Sequence, residues 1–255
     1  MEPLYTPVIW VARALFAAQG LKFTVTGAQN IPTSGGAVLM INHLSYFDFA
    51  YAGLAAVPSK RLVRFMAKDD VFRHRISGPL MRGMHHIPVD MERGAAAYAE
   101  AVAALRAGEL IGVFPEAGVS ASFEVRELKS GAVRLAAEAG VPVIPVAVWG
   151  GQRLMTKNHP VAFRERFGVP ISFAFGAPIN VVPTDDPRAV TDSLRETMQG
   201  MVNGLQSGYP VDGTGQWWQP RSRGGTAPTP AEAAATEAER ASRRKQARST
   251  VTGAP

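Results

Sequence analysis

The chain has 255 residues, 46% of them hydrophobic, no cysteine and a formal net charge of +6. That length and apolar content suit one globular unit with a tail, and the missing cysteine excludes disulfide frameworks, thiolate nucleophiles and cysteine-based zinc sites, which fits residence in the cytoplasm. The basic excess lies late, with seven Lys or Arg against three Asp or Glu from Arg221 onward, and such runs are usually solvated, so no nucleic-acid partner is expected.

No apolar run reaches the ~18 to 20 residues of a bilayer span, and the opening segment carries Glu2 and no basic leader, so neither a span nor an export signal is expected. Residues 4–16 have the period of an amphipathic helix, with Leu4, Val8, Val11 and Leu15 on one face, Tyr5, Ile9 and Phe16 beside it, and Arg13 on the polar side. The 1–20 segment is therefore a helix that either packs on the core or lies in a membrane interface, where Trp10 would anchor it.

After a turn cluster at Gly35-Gly36, residues 37–41 form an apolar run of buried-strand length. Further short strands are predicted over 62–66, 86–89, 110–114, 143–149 and 171–175, with helices over 93–106 and 131–139 between them and a last helix over 186–206. Strands alternating with helices predict a single α/β domain over 21–207, its mostly parallel central sheet flanked by helices. From residue 208 to 255 the composition turns to Pro, Gly, Thr and Ala, which predicts a low-complexity, disordered basic tail with an Ala- and Glu-rich helix near 231–248.

The first buried strand runs into Asn42-His43-Leu44-Ser45-Tyr46-Phe47-Asp48, at a strand exit of the kind where α/β ligand sites gather. Positions five apart on a continuous helix diverge by about 140°, so His43 and Asp48 meet only if a turn intervenes. The expected geometry puts His43 on the turn and Asp48 in the first helical turn. There the carboxylate can fix the imidazole tautomer and leave the other ring nitrogen to accept a proton. Alone, this spacing favours a core histidine beside a helix-start carboxylate.

Company in fixed order separates the two. The chain carries His86-Ile87-Pro88-Val89-Asp90, then Val113-Phe114-Pro115-Glu116, then Leu128-Lys129-Ser130-Gly131, then Val141-Pro142-Val143-Ile144-Pro145-Val146. With the first block, this set resembles the glycerolipid acyltransferases typified by 1-acylglycerol-3-phosphate acyltransferase, over roughly residues 25–177.

That resemblance implies an O-acyltransferase of phospholipid biosynthesis with His43 as base and Asp48 as its orienter. The acyl group would come from acyl-CoA or acyl carrier protein as co-substrate, with no cofactor and no metal. The acceptor would be a lysophospholipid, 1-acylglycerol-3-phosphate first. It further implies a peripheral enzyme on the cytoplasmic face of the cell membrane. Glu116 would bind the acceptor's glycerol hydroxyls, with Asn42, Ser45 and Gly118 among the substrate-binding residues.

Two departures bear on the acceptor. The second block's usual Arg after Asp90 is replaced by Met91, leaving Arg93 two positions on, and the third block's usual Gly-Thr-Arg-Ser after the Glu is replaced by Ala117-Gly118-Val119-Ser120. Arg126 or Lys129 would then supply the cation for a phosphate, a role that favours a planar guanidinium. The departures keep two alternatives open, another lysolipid or glycolipid acceptor and a catalytically silent lipid-binding scaffold. His74, His85 and His86 lack a third ligand at metal spacing, and the Gly150-Gly151 pair is read as a turn.

Overall fold

In the computed structural model, residues 4–90 and 94–252 are described. Arg93, a candidate phosphate ligand, lies outside them. A seven-stranded sheet has the order β1-β7-β6-β2-β5-β3-β4. Its strands are β1 (Lys22–Thr26), β2 (Ala37–Ile41), β3 (Val63–Lys68), β4 (Ile87–Val89), β5 (Leu110–Val113), β6 (Val143–Trp149) and β7 (Pro170–Phe175). All neighbouring pairs are parallel except β6 with β7, so the expected α/β class and mostly parallel sheet hold.

Both faces of β2 are buried, as its unbroken apolar run requires. Val38 and Met40 enter a core shared with helices α5 (Gly94–Arg106), α6 (Gly131–Ala139) and α7 (Pro187–Ser207). Leu39 and Ile41 enter the opposite core, against Tyr51, Ala52 and Ala55 of α2 (Asp48–Ala56). The alternation follows from the two-residue period of a strand, and each such aliphatic side chain contributes about 1.5–3 kcal/mol on burial. The start of α7 is fixed locally: Asp186 accepts from the Arg188 amide at 2.9 Å, and Pro187, which needs no donor there, opens the helix.

Helix α1 (Tyr5–Ala18) uses both of its apolar faces. Tyr5 donates its hydroxyl to the Val63 carbonyl at 2.7 Å, and Phe16 packs on Phe23 and Tyr51, which docks one side on the domain. Trp10, Val11 and Leu15 stay exposed on the other. Two short helices, α3 (Asp69–Arg73) and α4 (Ser77–Gly83), stand where no element is predicted, between β3 and β4.

The segment from residue 208 differs from the expected tail in its first part. Trp218 and Ala227 are buried, and Trp218 packs on Trp149 and Tyr209, so residues 208–227 are laid along the domain. Trp217 and Trp218 offset the Pro- and Gly-rich composition, because each buries more apolar area than several small residues. Helix α8 (Pro230–Thr252) follows, where a helix over 231–248 is predicted.

Candidate active site

Strands β2 and β5 are parallel neighbours with Met40 opposite Val113, so their exits open at the same edge of the sheet. Residue 43 lies two beyond the end of β2, and residue 116 three beyond β5. The His43 amide donates to Glu116 Oε1 at 2.9 Å, and the His43 carbonyl accepts from the Ser120 amide at 2.7 Å. The backbone of the histidine is thereby clamped by the loop after β5.

As expected, a turn separates His43 from Asp48, the first residue of α2. His43 Nδ1 lies 3.1 Å from Asp48 Oδ2, and the same oxygen accepts from the Leu44 and Ser45 amides at 2.6 and 2.7 Å. Asp48 is fully buried; the turn amides and the start of the helix stabilise the charge through Oδ2, while Oδ1, also buried, has no hydrogen-bond partner among the described residues. The imidazole stacks on Phe114, centroids 4.4 Å apart. With Nδ1 turned to the carboxylate and the ring plane set by Phe114, Nε2 is the nitrogen presented outward from a side chain that is 18% exposed.

Glu116 is buried and spends its oxygens inside the protein, Oε1 on His43 and Oε2 on the Arg126 amide at 3.4 Å. A carboxyl so placed holds the His43 backbone, and its remaining lone pairs are what is left for the glycerol contact expected of it. Burial pushes its pKa up to about 8, the amides of His43 and Arg126 and the Arg126 charge pulling down and Asp48 pushing up.

Two other expected substrate ligands are likewise bonded within the fold. Asn42 donates its amide to the Val148 carbonyl at 3.1 Å and accepts from the Val148 amide at 2.7 Å, which ties β2 to β6 and leaves its carboxamide occupied. Ser45 is buried, its hydroxyl accepting from the Phe47 amide at 3.2 Å inside the turn. Gly118 does lie near a candidate cation: a Cβ there would sit 3.6 Å from Arg126 Nη1. Lys129 is exposed, its amide bonded to the Pro115 carbonyl.

The contacts of two residues escape the sequence reading. Gly150 and Gly151 follow β6, and Gly150 (φ +104°) makes the expected turn, but a Cβ on Gly151 would come 2.9 Å from Asp48 Oδ1. Glycine there is what lets the β6 exit close against the carboxylate. Thr156 donates its hydroxyl to the Leu44 carbonyl at 2.8 Å, bracing the turn from a third loop. The signal for the glycine was its place after a fully buried strand; nothing local marks Thr156.

The histidines set aside at first reading have local uses. His86 is buried and accepts from the Phe65 amide through Nδ1 at 3.1 Å, and burial, then Arg64 and His85, lower its pKa to about 4. It is a neutral core imidazole. Among the described residues no group of three His, Asp or Glu is placed to hold a metal ion.

The arrangement at His43 can hold an imidazole in one tautomer, accept a proton at Nε2 and stabilise the imidazolium through Asp48. Comparison with known proteins gives the family. The family model described as Acyltransferase matches residues 22–149. The 1-acyl-sn-glycerol-3-phosphate acyltransferase of Bacillus subtilis is 31% identical over 185 residues, covering 71% of this chain and 88% of that one. The enzyme of the same name from Borreliella burgdorferi is 29% identical over 145 residues, 54% of this chain and 56% of its own length. The crystal structure of the 1-acyl-sn-glycerophosphate (LPA) acyltransferase PlsC from Thermotoga maritima superposes with a TM-score of 0.66 at 21% identity over 81% of each chain, a likeness of fold.

Proposed function

The chain belongs to the acyltransferase family, and from that premise we propose that it moves a fatty acyl group from an acyl thioester, acyl-CoA or acyl carrier protein, to the hydroxyl of a lysophospholipid, 1-acylglycerol-3-phosphate first. The observation that carries this reading is the 3.1 Å contact between His43 Nδ1 and the buried Asp48 carboxylate, at the shared exit of β2 and β5. His43 Nε2 takes the acceptor's hydroxyl proton as the oxygen attacks the thioester carbonyl. The tetrahedral intermediate collapses, the C–S bond breaks, and the imidazolium returns its proton to the leaving thiolate. Asp48 stabilises the imidazolium, and Glu116 with Ser120 holds the backbone of the base.

No helix among the described residues is long and apolar enough to cross a membrane. The lipid substrates are instead met at the surface: Trp10, Val11 and Leu15 on the uncovered side of α1 suit insertion at a membrane interface, on the cytoplasmic face.

Purified protein given acyl-CoA or acylated carrier protein and 1-acylglycerol-3-phosphate should release free thiol and yield phosphatidic acid. His43→Ala should lower that rate at least ~100-fold, the usual loss on removing a general base. Equal background from wild type and variant across a panel of lysolipids would sink the reading.

A further inference from the structure

The two candidate cations expected from the loop after β5 fare differently. Arg126 is not free: its Nη2 lies 2.8 Å from Glu237 Oε2, and Lys157 Nζ reaches Glu237 Oε1 at 2.6 Å. Lys157 comes from the loop after β6, and nothing in the sequence near it marks a site. Both cations are tied to the catalytic turn. Arg126 donates its backbone amide to Glu116, whose other oxygen holds His43. Lys157 follows Thr156, whose hydroxyl holds Leu44, the residue after the base. Two loops on either side of the His43 turn thus each bring a positive charge to one point.

The carboxylate at that point comes from α8, which the domain holds lightly. Of residues 231–243 only Ala233 and Glu237, one helical turn apart, are not exposed. Besides Glu237, α8 reaches the same loop through Arg240 and Asn158. Partial burial works against ionisation of Glu237, yet Lys157 and Arg126 together keep its pKa below the usual range. A carboxylate against a guanidinium is the geometry a phosphate oxygen pair also adopts. Charge then decides between the two anions. A phosphate monoester carries about −1.5 to −2 at neutral pH, against −1 for Glu237, so the same two cations attract it about one and a half to two times as strongly at equal distance.

We propose that Arg126 and Lys157 form the anion subsite for the phosphate of a phosphate-headed acceptor, and that Glu237 occupies this subsite as an internal counter-ion which the acceptor displaces. The inference rests on the lysophospholipid reading above and adds to it Lys157, which no sequence motif singles out, and a role for α8. Partly exposed ion pairs each change an equilibrium constant by at most about fivefold, so an incoming phosphate can displace the helix.

The test uses the full chain with glycerol 3-phosphate as probe and glycerol as its uncharged control, binding being followed by NMR titration. Glu237→Gln should tighten glycerol 3-phosphate binding roughly three- to tenfold, leaving glycerol unchanged. Arg126→Gln and Lys157→Gln should each weaken it about tenfold or more, and Arg126→Gln should abolish most of the gain from Glu237→Gln. With lipid acceptors, Glu237→Gln should lower KM for 1-acylglycerol-3-phosphate with kcat nearly unchanged, and leave KM for the monoacylglycerol unaffected. Unchanged glycerol 3-phosphate affinity and unchanged KM in Glu237→Gln overturn the counter-ion role, and wild-type affinity in both cation variants overturns the subsite. Binding that follows the predicted pattern in a protein that acylates no acceptor leaves the subsite standing and defeats the acyl-transfer reading instead.

Discussion

The His43–Asp48 turn and the Arg126–Lys157–Glu237 cluster lie on the same edge of one sheet but are built in opposite ways. The turn is assembled from seven consecutive residues, its carboxylate is fully buried, and one oxygen meets two backbone N–H groups and the Nδ1 of His43. The cluster joins three segments, with Arg126 and Glu237 111 positions apart, and all three side chains keep roughly a quarter of their surface in water. Burial makes the first costly to disturb and fixes it in one state. Exposure makes the second exchangeable, which suits a place where a substrate must come and go.

Asp48→Asn should have the largest effect. It removes the charge that stabilises the imidazolium and puts an amide where two backbone N–H groups and the Nδ1 of His43 converge, so kcat should fall roughly a thousandfold, with the melting temperature reduced as well. A variant active at the wild-type rate would mean that the turn is mere packing. Gly151→Ala reaches the same carboxylate from the β6 exit. Its Cβ would stand 2.9 Å from Asp48 Oδ1 and 3.1 Å from Ser45 Cβ, and the displaced turn should cost about tenfold in kcat, read by steady-state kinetics.

Glu116 gives a smaller, pH-dependent effect. Its pKa rises from the ordinary 4.5 to about 8 in the fold, so the native state keeps a proton that the unfolded chain has lost across that window. Its contribution to stability is complete at the acid end and is lost as pH rises toward about 8. His86, lowered to about 4 by burial, acts in the reverse sense, costing stability as pH falls below its ordinary 6.5. Thermal melts across pH should therefore decline on both sides, and Glu116→Gln should flatten the alkaline side alone. The smallest effect is expected at Ala117, a non-glycine residue at φ +55° in the loop that carries Glu116. Ala117→Gly should stabilise by about 1 kcal/mol or less in denaturant unfolding, since glycine pays no steric penalty there but loses more chain entropy.

What could be read in advance follows the same division between local and distant. The turn was legible because the block that forms it is contiguous, and the strand at residues 37–41 because an all-apolar run of that length fits a two-faced sheet. The bonds that Asn42 and Glu116 make inside the protein were not legible. Each is spent on backbone brought alongside by strand pairing, 106 and 73 positions away, and no local pattern records such pairing. Strand β1 went unpredicted because it is an edge strand whose Lys22, Thr24 and Thr26 face solvent. Glu237 was hidden for a different reason: in a segment of low apolar content, a glutamate on a helix looks like every other solvated charge.

The central claim is that His43 carries its neutral-state proton on Nδ1, toward Asp48, with the Nε2 lone pair open to the acceptor. Nitrogen-15 NMR of the labelled imidazole in its neutral form reads this directly. The protonated nitrogen should be Nδ1 in the wild type, with that preference lost or weakened in Asp48→Asn. A ring protonated on Nε2 in the wild type would contradict it, because the outward nitrogen would then have no lone pair with which to take a proton.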